Sequence, residues 1–152
     1  MKPIGEILIE QGAISQEQLQ MALKEQKNST KKRRLGEVLI QLGMVEERDI
    51  VVALSIQFNF PYLSLRNISL KGDLLKLVPA NLVRQCHFIP IDKTGSILTV
   101  IMSDPSDENA ISEIEKSTKC KVHAFIGTHS EIEHAIEQYY AEEVGSKKPN
   151  AP

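Results

Sequence analysis

A stretch of 24 residues near the amino terminus is repeated without a gap, and this repeat constrains the fold more than any other feature of the sequence. Residues 3–26 align with residues 34–57. The register is fixed by two glycines seven residues apart and by a glutamine fourteen residues after the second glycine. These residues are Gly5, Gly12 and Gln26 in the first copy and Gly36, Gly43 and Gln57 in the second. A gapless repeat of this kind predicts two copies of one supersecondary unit.

Each copy is predicted to form a short helix, a turn and a longer helix. Apolar residues recur at helical spacing on both sides of a glycine that stands where a helix would end with positive φ. In the first copy, Ser15 and Gln18 predict a capping box for the longer helix. Glu46 replaces this serine in the second copy and predicts a weaker cap. Two helical hairpins packed into a small bundle would explain the glycines as C-caps, but not the repeated glutamine or Arg34.

The second part of the chain changes from helical to mixed periodicity. Alternating apolar residues predict four strands, at 62–65, 88–91, 97–102 and 120–125. The second and third strands are expected to form a hairpin with Gly95 at its turn, and helices are expected between the other strands and after the last one. Asp104 is interpreted as a helix N-cap rather than a catalytic acid, and Tyr139 is expected on the buried face of the last helix.

These patterns predict an α+β chain in three parts. The first part, 1–58, is a helical amino-terminal subdomain built from two tandem helix-turn-helix repeats. A small α/β sandwich follows at 59–142. The polar residues 143–152 are expected to form a disordered tail.

Composition and missing motifs exclude several classes of function. The formal charge of −2 argues against a basic coat for nucleic acid, and the 5% aromatic content argues against base-stacking platforms. The sequence contains no GxxxxGKS/T, GxGxxG, HExxH or GxSxG motif, so no enzymatic activity is expected. The four histidines are scattered, and Cys86 and Cys120 lack metal-ligand spacing. We therefore expect no metal and reduced thiols, with a single disulfide as the alternative.

No part of the sequence predicts a membrane span or a secretion signal. No apolar run reaches the roughly 20 residues that a spanning helix needs. The start of the chain, residues 1–6, lacks the apolar core of a signal peptide. A cytoplasmic location is expected.

The repeat and the segments after it resemble one known family. The pattern RLGxxLxxxGxxxxxxLxxALxxQ, twice in tandem, resembles the MshEN-type amino-terminal domain of type II secretion and type IV pilus assembly ATPases. Later family stretches are matched, in order, by residues 60–65, 77–83, 88–91 and 98–105. The resemblance covers residues 2–141.

The resemblance implies cyclic di-GMP as a ligand, with one guanosine half for each copy. The opening arginine and the closing glutamine would be polar anchors, and aliphatic side chains would cover the bases. The implied ligand-binding residues are Ile4, Glu6, Leu19, Leu23, Gln26, Arg34, Leu35, Glu37, Ile50, Leu54 and Gln57. Grouped by copy, the second half-site is intact. The first has Pro3 in place of arginine, and the linker between the copies is longer than the family's usual one.

The resemblance also implies a regulatory or docking role with protein partners. These partners would be a secretion or pilus ATPase, in the same chain or a separate one, and an inner-membrane platform protein. Neither nucleic acid nor direct membrane insertion is implied, and any peripheral membrane association would come through the partners. Two functions stay open: a cyclic di-GMP sensor, and a module that docks the ATPase to the platform without nucleotide. The sequence also leaves open whether the chain is free-standing or part of a full ATPase.

Overall fold

The chain divides into two compact units, Met1–Asn59 and Phe60–Pro152. The computed structural model describes the backbone of residues 2–147 and the side chains of residues 2–140. Each unit has a hydrophobic core of its own, and the two cores share no residue. The sequence placed the boundary between the subdomains at residues 58 and 59.

The first unit consists of four helices, two from each copy of the repeat. They are α1 (Ile4–Glu10), α2 (Gln16–Asn28), α3 (Leu35–Gln41) and α4 (Glu47–Phe58). Helix α1 packs against α4, and α2 packs against α3, so the main helix contacts join one copy to the other. The core takes five buried residues from equivalent positions of each copy: Ile7, Leu8, Ile14, Leu19 and Ala22, and Val38, Leu39, Val45, Ile50 and Ala53.

The first helix of each copy ends in the same glycine turn. Gly12 has φ 78° and Gly43 has φ 75°, which confirms the positive φ expected from the sequence. The Gly12 N–H donates to the Ile9 carbonyl at 3.0 Å, and the next N–H donates to the Leu8 carbonyl at 2.9 Å. This pair of bonds is a Schellman motif, and the second copy repeats it. Glycine is needed here because other residues rarely adopt this backbone conformation.

The longer helix of each copy begins with a side-chain cap. In α2, the Ser15 Oγ accepts from the Gln18 N–H at 3.1 Å and the Gln18 side chain accepts from the Ser15 N–H at 2.9 Å, which confirms the predicted capping box. In α4, the Asp49 carboxylate accepts from the Glu46 N–H at 2.8 Å. The second copy therefore keeps the return half of the box despite the replaced serine.

The second unit is a three-stranded sheet covered by helices. The strands are β1 (Phe88–Thr94), β2 (Ile97–Met102) and β3 (Lys121–Ile126), in the order β1-β2-β3. Strands β1 and β2 form an antiparallel hairpin, and β2 pairs with β3 in parallel. The other elements are a 3-10 helix (Leu65–Asn67), α5 (Gly72–Lys76), α6 (Ala80–Cys86), α7 (Glu108–Thr118) and α8 (His129–Lys147). This mixed architecture confirms the predicted α+β class.

The predicted strand at 62–65 is wrong. Tyr62 forms only an isolated parallel bridge with Ile126. The chain then enters the 3-10 helix, and the Glu131 carboxylate accepts from the Leu65 backbone N–H at 2.9 Å. Because the Glu131 side chain binds a backbone N–H of this segment, the pairing with β3 does not extend beyond the bridge at Tyr62.

In two helices, the predicted residue is replaced in its role by a nearby residue of the same type. Asp107, not Asp104, caps α7, because its Oδ1 accepts from the Ala110 N–H at 3.1 Å. Tyr140 is 2% exposed, whereas Tyr139 is 44% exposed, so the predicted buried tyrosine was wrong by one position. Buried residues on α8 recur every fourth position, at Ile132, Ile136 and Tyr140, and one position further along the helix changes the face by about 100°.

The last helix extends into the segment expected to be a tail. Helix α8 continues to Lys147, whereas the expected tail began at residue 143. Residues 148–152 lie outside the described part of the chain. None of the helices in the described part has the combination of length and apolar composition that crossing a bilayer requires.

Candidate functional site

The two repeated glutamines connect the copies crosswise. The Gln26 side-chain Nε2 donates to the Arg33 carbonyl at 2.7 Å. The Gln57 Nε2 donates to the Lys2 carbonyl at 3.1 Å. Lys2 and Arg33 occupy equivalent positions, each one residue before the N-cap of a first helix. The last helix of each copy therefore holds the start of the other copy's first helix, which is the relation that a local two-fold axis produces.

The apolar residues proposed from the sequence divide into core and surface. Leu19 and Ile50 are each 9% exposed and belong to the core of the first unit. Leu23 is 39% exposed. The other three, Ile4, Leu35 and Leu54, are partly buried against that core. Four of the six apolar residues therefore present surface that a ligand could cover.

Gly5 and Gly36 allow close packing inside each copy. A Cβ added at Gly5 would lie 2.8 Å from the Leu19 Cδ1, and one added at Gly36 would lie 3.1 Å from the Ile50 Cγ2. Both glycines are buried within a helix, so the interpretation of all the repeated glycines as C-caps holds for the later pair only. Their absent side chains leave room for the two buried residues beneath them.

Position 3 and position 34 have the same backbone conformation with different side chains. Pro3 is the N-cap of α1 with φ −64° and ψ 152°, and Arg34 is the N-cap of α3 with φ −73° and ψ 152°. A φ near −65° is the one that the proline ring imposes. The two copies therefore share the backbone conformation here and differ in the side chain and in the backbone N–H that proline lacks. Arg34 is exposed, as are Glu6 and Glu37 on the first helices.

The structure groups the polar residues differently from the sequence. Because the glutamines cross between copies, Gln26 lies beside the start of α3, where Arg34 stands, and Gln57 lies beside the start of α1, where Pro3 stands. Grouping by copy had placed Gln57 with Arg34. The structure therefore places Gln26 of the first copy beside Arg34 of the second.

Four consecutive basic residues, at 31–34, lie where the linker between the copies meets the second copy, and one of them is partly shielded from solvent. Arg33 is half-buried, and its Nε is a buried donor with no hydrogen-bond partner among the described residues. Its backbone carbonyl is the acceptor for Gln26. A buried donor without a partner costs free energy. A bound molecule that offered the Arg33 Nε an acceptor would therefore bind more tightly.

The second unit contains a side-chain cluster that the sequence did not indicate. His87, His129 and Glu133 place one ligand atom each within 4.8 Å of one another. Burial lowers the pKa of His87 and outweighs its hydrogen bond with Glu133, which raises it. His129 and Glu133 stand four apart on α8, a spacing that hints at a shared face. His87 is far from both in the sequence, so no local spacing pattern connected it to them.

The second unit also matches a known family model. The model of the MshEN domain matches residues 58–146. The type IV pilus assembly ATPase PilB of Myxococcus xanthus (strain DK1622) is 33% identical over 140 residues, which are 91% of this chain and 24% of that protein. PilB of Acinetobacter baylyi (strain ATCC 33305 / BD413 / ADP1) is 25% identical over 136 residues, which are 90% of this chain and 23% of that protein. The chain thus spans about a quarter of the length of these curated relatives.

Solved structures share the fold along most of the chain. A structure of MshE with cyclic di-GMP aligns with a TM-score of 0.77 and 30% identity, covering 92% of this chain and 100% of that one. The amino-terminal domain of XpsE aligns with a TM-score of 0.64 and 22% identity, covering 91% of this chain and 99% of that one. Since the family model covers more than half of the residues and the fold agrees, the chain belongs to the MshEN domain family.

Proposed function

We propose that this chain is a cyclic di-GMP-binding regulatory domain of a type IV pilus or type II secretion assembly ATPase system. The observation that carries the proposal is the likeness to MshE with cyclic di-GMP, at a TM-score of 0.77 and 30% identity over the whole of that chain. The chain itself supplies no nucleotide-hydrolysing motif in this proposal. Its role is to sense the ligand, and an ATPase domain, in the same protein or in a separate one, hydrolyses ATP.

The local two-fold relation of the first unit suits a ligand with two equivalent halves. The start of α3 offers Arg34 and Gln26, and the start of α1 offers Pro3 and Gln57. A guanidinium donates in a planar fork that matches a guanine edge or a phosphate. The partly exposed Leu23, together with other aliphatic residues of the set, would cover the bases without aromatic stacking.

Pro3 makes one half of the proposed site weaker than the other. A hydrogen bond to a charged group contributes about 1.5–3 kcal/mol. Its loss corresponds to roughly one to two decades in affinity. We therefore expect cyclic di-GMP to bind about one to two decades more weakly than it would with an arginine in both copies, with Arg34 as the main polar anchor.

Calorimetry with the full chain and cyclic di-GMP tests this proposal. The expected result is saturable binding that Arg34→Ala weakens by about tenfold or more. Arg48→Ala is the matched control, because Arg48 is an exposed arginine of the same copy outside the proposed set. No heat at high micromolar ligand, or equal losses from both variants, would overturn the proposal.

A second candidate function is docking to an inner-membrane platform protein without nucleotide. Four large apolar side chains of the first unit support it, with exposures of 60% for Met21, 39% for Ile40, 42% for Leu42 and 54% for Ile56. Apolar side chains that the fold leaves exposed are available for contact with a protein partner. Capture of the platform's cytoplasmic domain by the nucleotide-free chain, and its loss in Ile56→Asp, would support this function.

A further inference from the structure

Three side chains from two distant segments converge at the start of α8. His87 follows α6 in the left-handed conformation, with φ 54° and ψ 69°, and this turn aims its ring at the helix. Its ring stacks on that of His129 with centroids 4.0 Å apart and planes 8° apart. Its Nε2 lies 2.8 Å from the Glu133 Oε1. Two imidazoles and one carboxylate thus share one small volume.

A hydroxyl on the far side of His87 can hold the ring in either neutral tautomer. The Ser103 Oγ lies 3.0 Å from the His87 Nδ1. A hydroxyl both donates and accepts, so it can pair with Nδ1 whether or not that nitrogen carries the proton. When Nδ1–H donates to Ser103, the Nε2 lone pair is free to face the pocket. Metal-bound histidines are commonly oriented by such a partner on the other nitrogen.

We propose that His87, His129 and Glu133 form a binding site for a divalent transition-metal ion of the zinc class. Two histidines and a glutamate are a known donor set for zinc, with bonds of about 2.0–2.2 Å. Imidazole nitrogen favours zinc, cobalt, nickel and copper over magnesium and calcium. The ion would join the start of α8 to the turn between α6 and β1, at a site within the second unit.

The ring planes of His87 and His129 are 8° apart, so their nitrogen lone pairs run nearly parallel and the His129 ring must turn out of the stack to bind the same ion as His87. All three ligand atoms lie within 4.8 Å of one another, whereas ligands around one zinc ion lie roughly 3–3.5 Å apart. The side chain of Glu133 is 50% exposed and that of His87 is 17% exposed. His129 is exposed as well. The outer two ligands can therefore move, an ion can enter from solvent, and water can complete the coordination.

The test is titration of the tag-free full chain with Zn²⁺ by calorimetry and with Co²⁺ by visible absorption, under a non-chelating reductant. Saturable 1:1 binding is expected, without the thiolate charge-transfer band that Cys86 or Cys120 would give. His129→Asn and Glu133→Gln should each weaken Zn²⁺ binding by about tenfold or more. Both replace exposed side chains, so the fold should survive them, and far-UV circular dichroism checks this.

His134→Asn is the matched control, because His134 is an exposed histidine of the same helix outside the cluster. Unchanged Zn²⁺ affinity in this variant supports the proposed ligand set. Absence of saturable binding, equal losses from all three variants, or a thiolate band with Co²⁺ would overturn it. These outcomes are independent of cyclic di-GMP, whose proposed site lies in the first unit.

Discussion

The difference between Pro3 and Arg34 leads to a gain-of-function prediction. Their backbone angles agree within 10° in φ and are equal in ψ, so an arginine fits position 3 without rearrangement. Pro3→Arg should place a guanidinium beside Gln57, as Arg34 stands beside Gln26. We expect cyclic di-GMP to bind about ten- to a hundredfold more tightly, measured by calorimetry.

Lys2→Arg is the control for this gain. It adds a guanidinium one residue away, where the Lys2 ammonium already pairs with the Glu10 carboxylate at 2.6 Å. Affinity should stay unchanged in this variant. A similar gain from both substitutions would show that a guanidinium anywhere near the start of α1, and not specifically at position 3, strengthens binding.

Residues whose contacts are local could be predicted from the sequence. Gly12, Gly43 and the Ser15 cap each satisfy backbone groups within five residues, so the local pattern contains the whole interaction. Tyr139 and Asp104 were misassigned because neighbouring residues of the same type compete for one role. Only the packed register of the helix decides between Tyr139 and Tyr140.

The crosswise glutamines predict that the two copies stabilise each other unequally. Gln26→Ala removes a partly buried hydrogen bond of 2.7 Å and leaves the Arg33 carbonyl without it. We expect a loss of about 1 kcal/mol in the free energy of unfolding. Gln57→Ala should cost less, because its bond of 3.1 Å is exposed and water can replace it. Urea unfolding followed by circular dichroism measures both.

Gln20→Ala controls for helix propensity, because Gln20 is an exposed glutamine of α2. It should be close to neutral. If it destabilises the chain as much as Gln26→Ala does, the crosswise bond contributes nothing measurable.

Pairings between elements were beyond the sequence. The repeat identified Gln26 and Gln57 as unusual, but their acceptors belong to the other copy, and the bond of Gln57 spans 55 residues. The cluster of His87 with Glu133 spans 46 residues. The helical periodicity of each copy fixes which face is apolar and does not fix which helix will cover it. Packing of α1 on α4 and of α2 on α3 decides that.

At the scale of the whole molecule, the two proposed ligands belong to different units. Cyclic di-GMP would bind the repeats within Met1–Asn59, and the metal ion would bind within Phe60–Pro152. The first unit is small, and a chain of about 60 residues buries only about 60% of its unfolded surface. A bound ligand should therefore raise the free energy of unfolding of the first unit by a larger fraction than that of the second unit.

Hydrogen exchange with mass spectrometry can separate the two effects in the intact chain. A ligand at a hundred times its dissociation constant stabilises the state that binds it by about 2.7 kcal/mol. With cyclic di-GMP we expect slower exchange in peptides from α1–α4, because their core is separate from that of the sheet. With Zn²⁺ we expect it in peptides covering β1 and the start of α8. Equal protection of both units by either ligand would contradict this prediction, because it would show that the two cores open together.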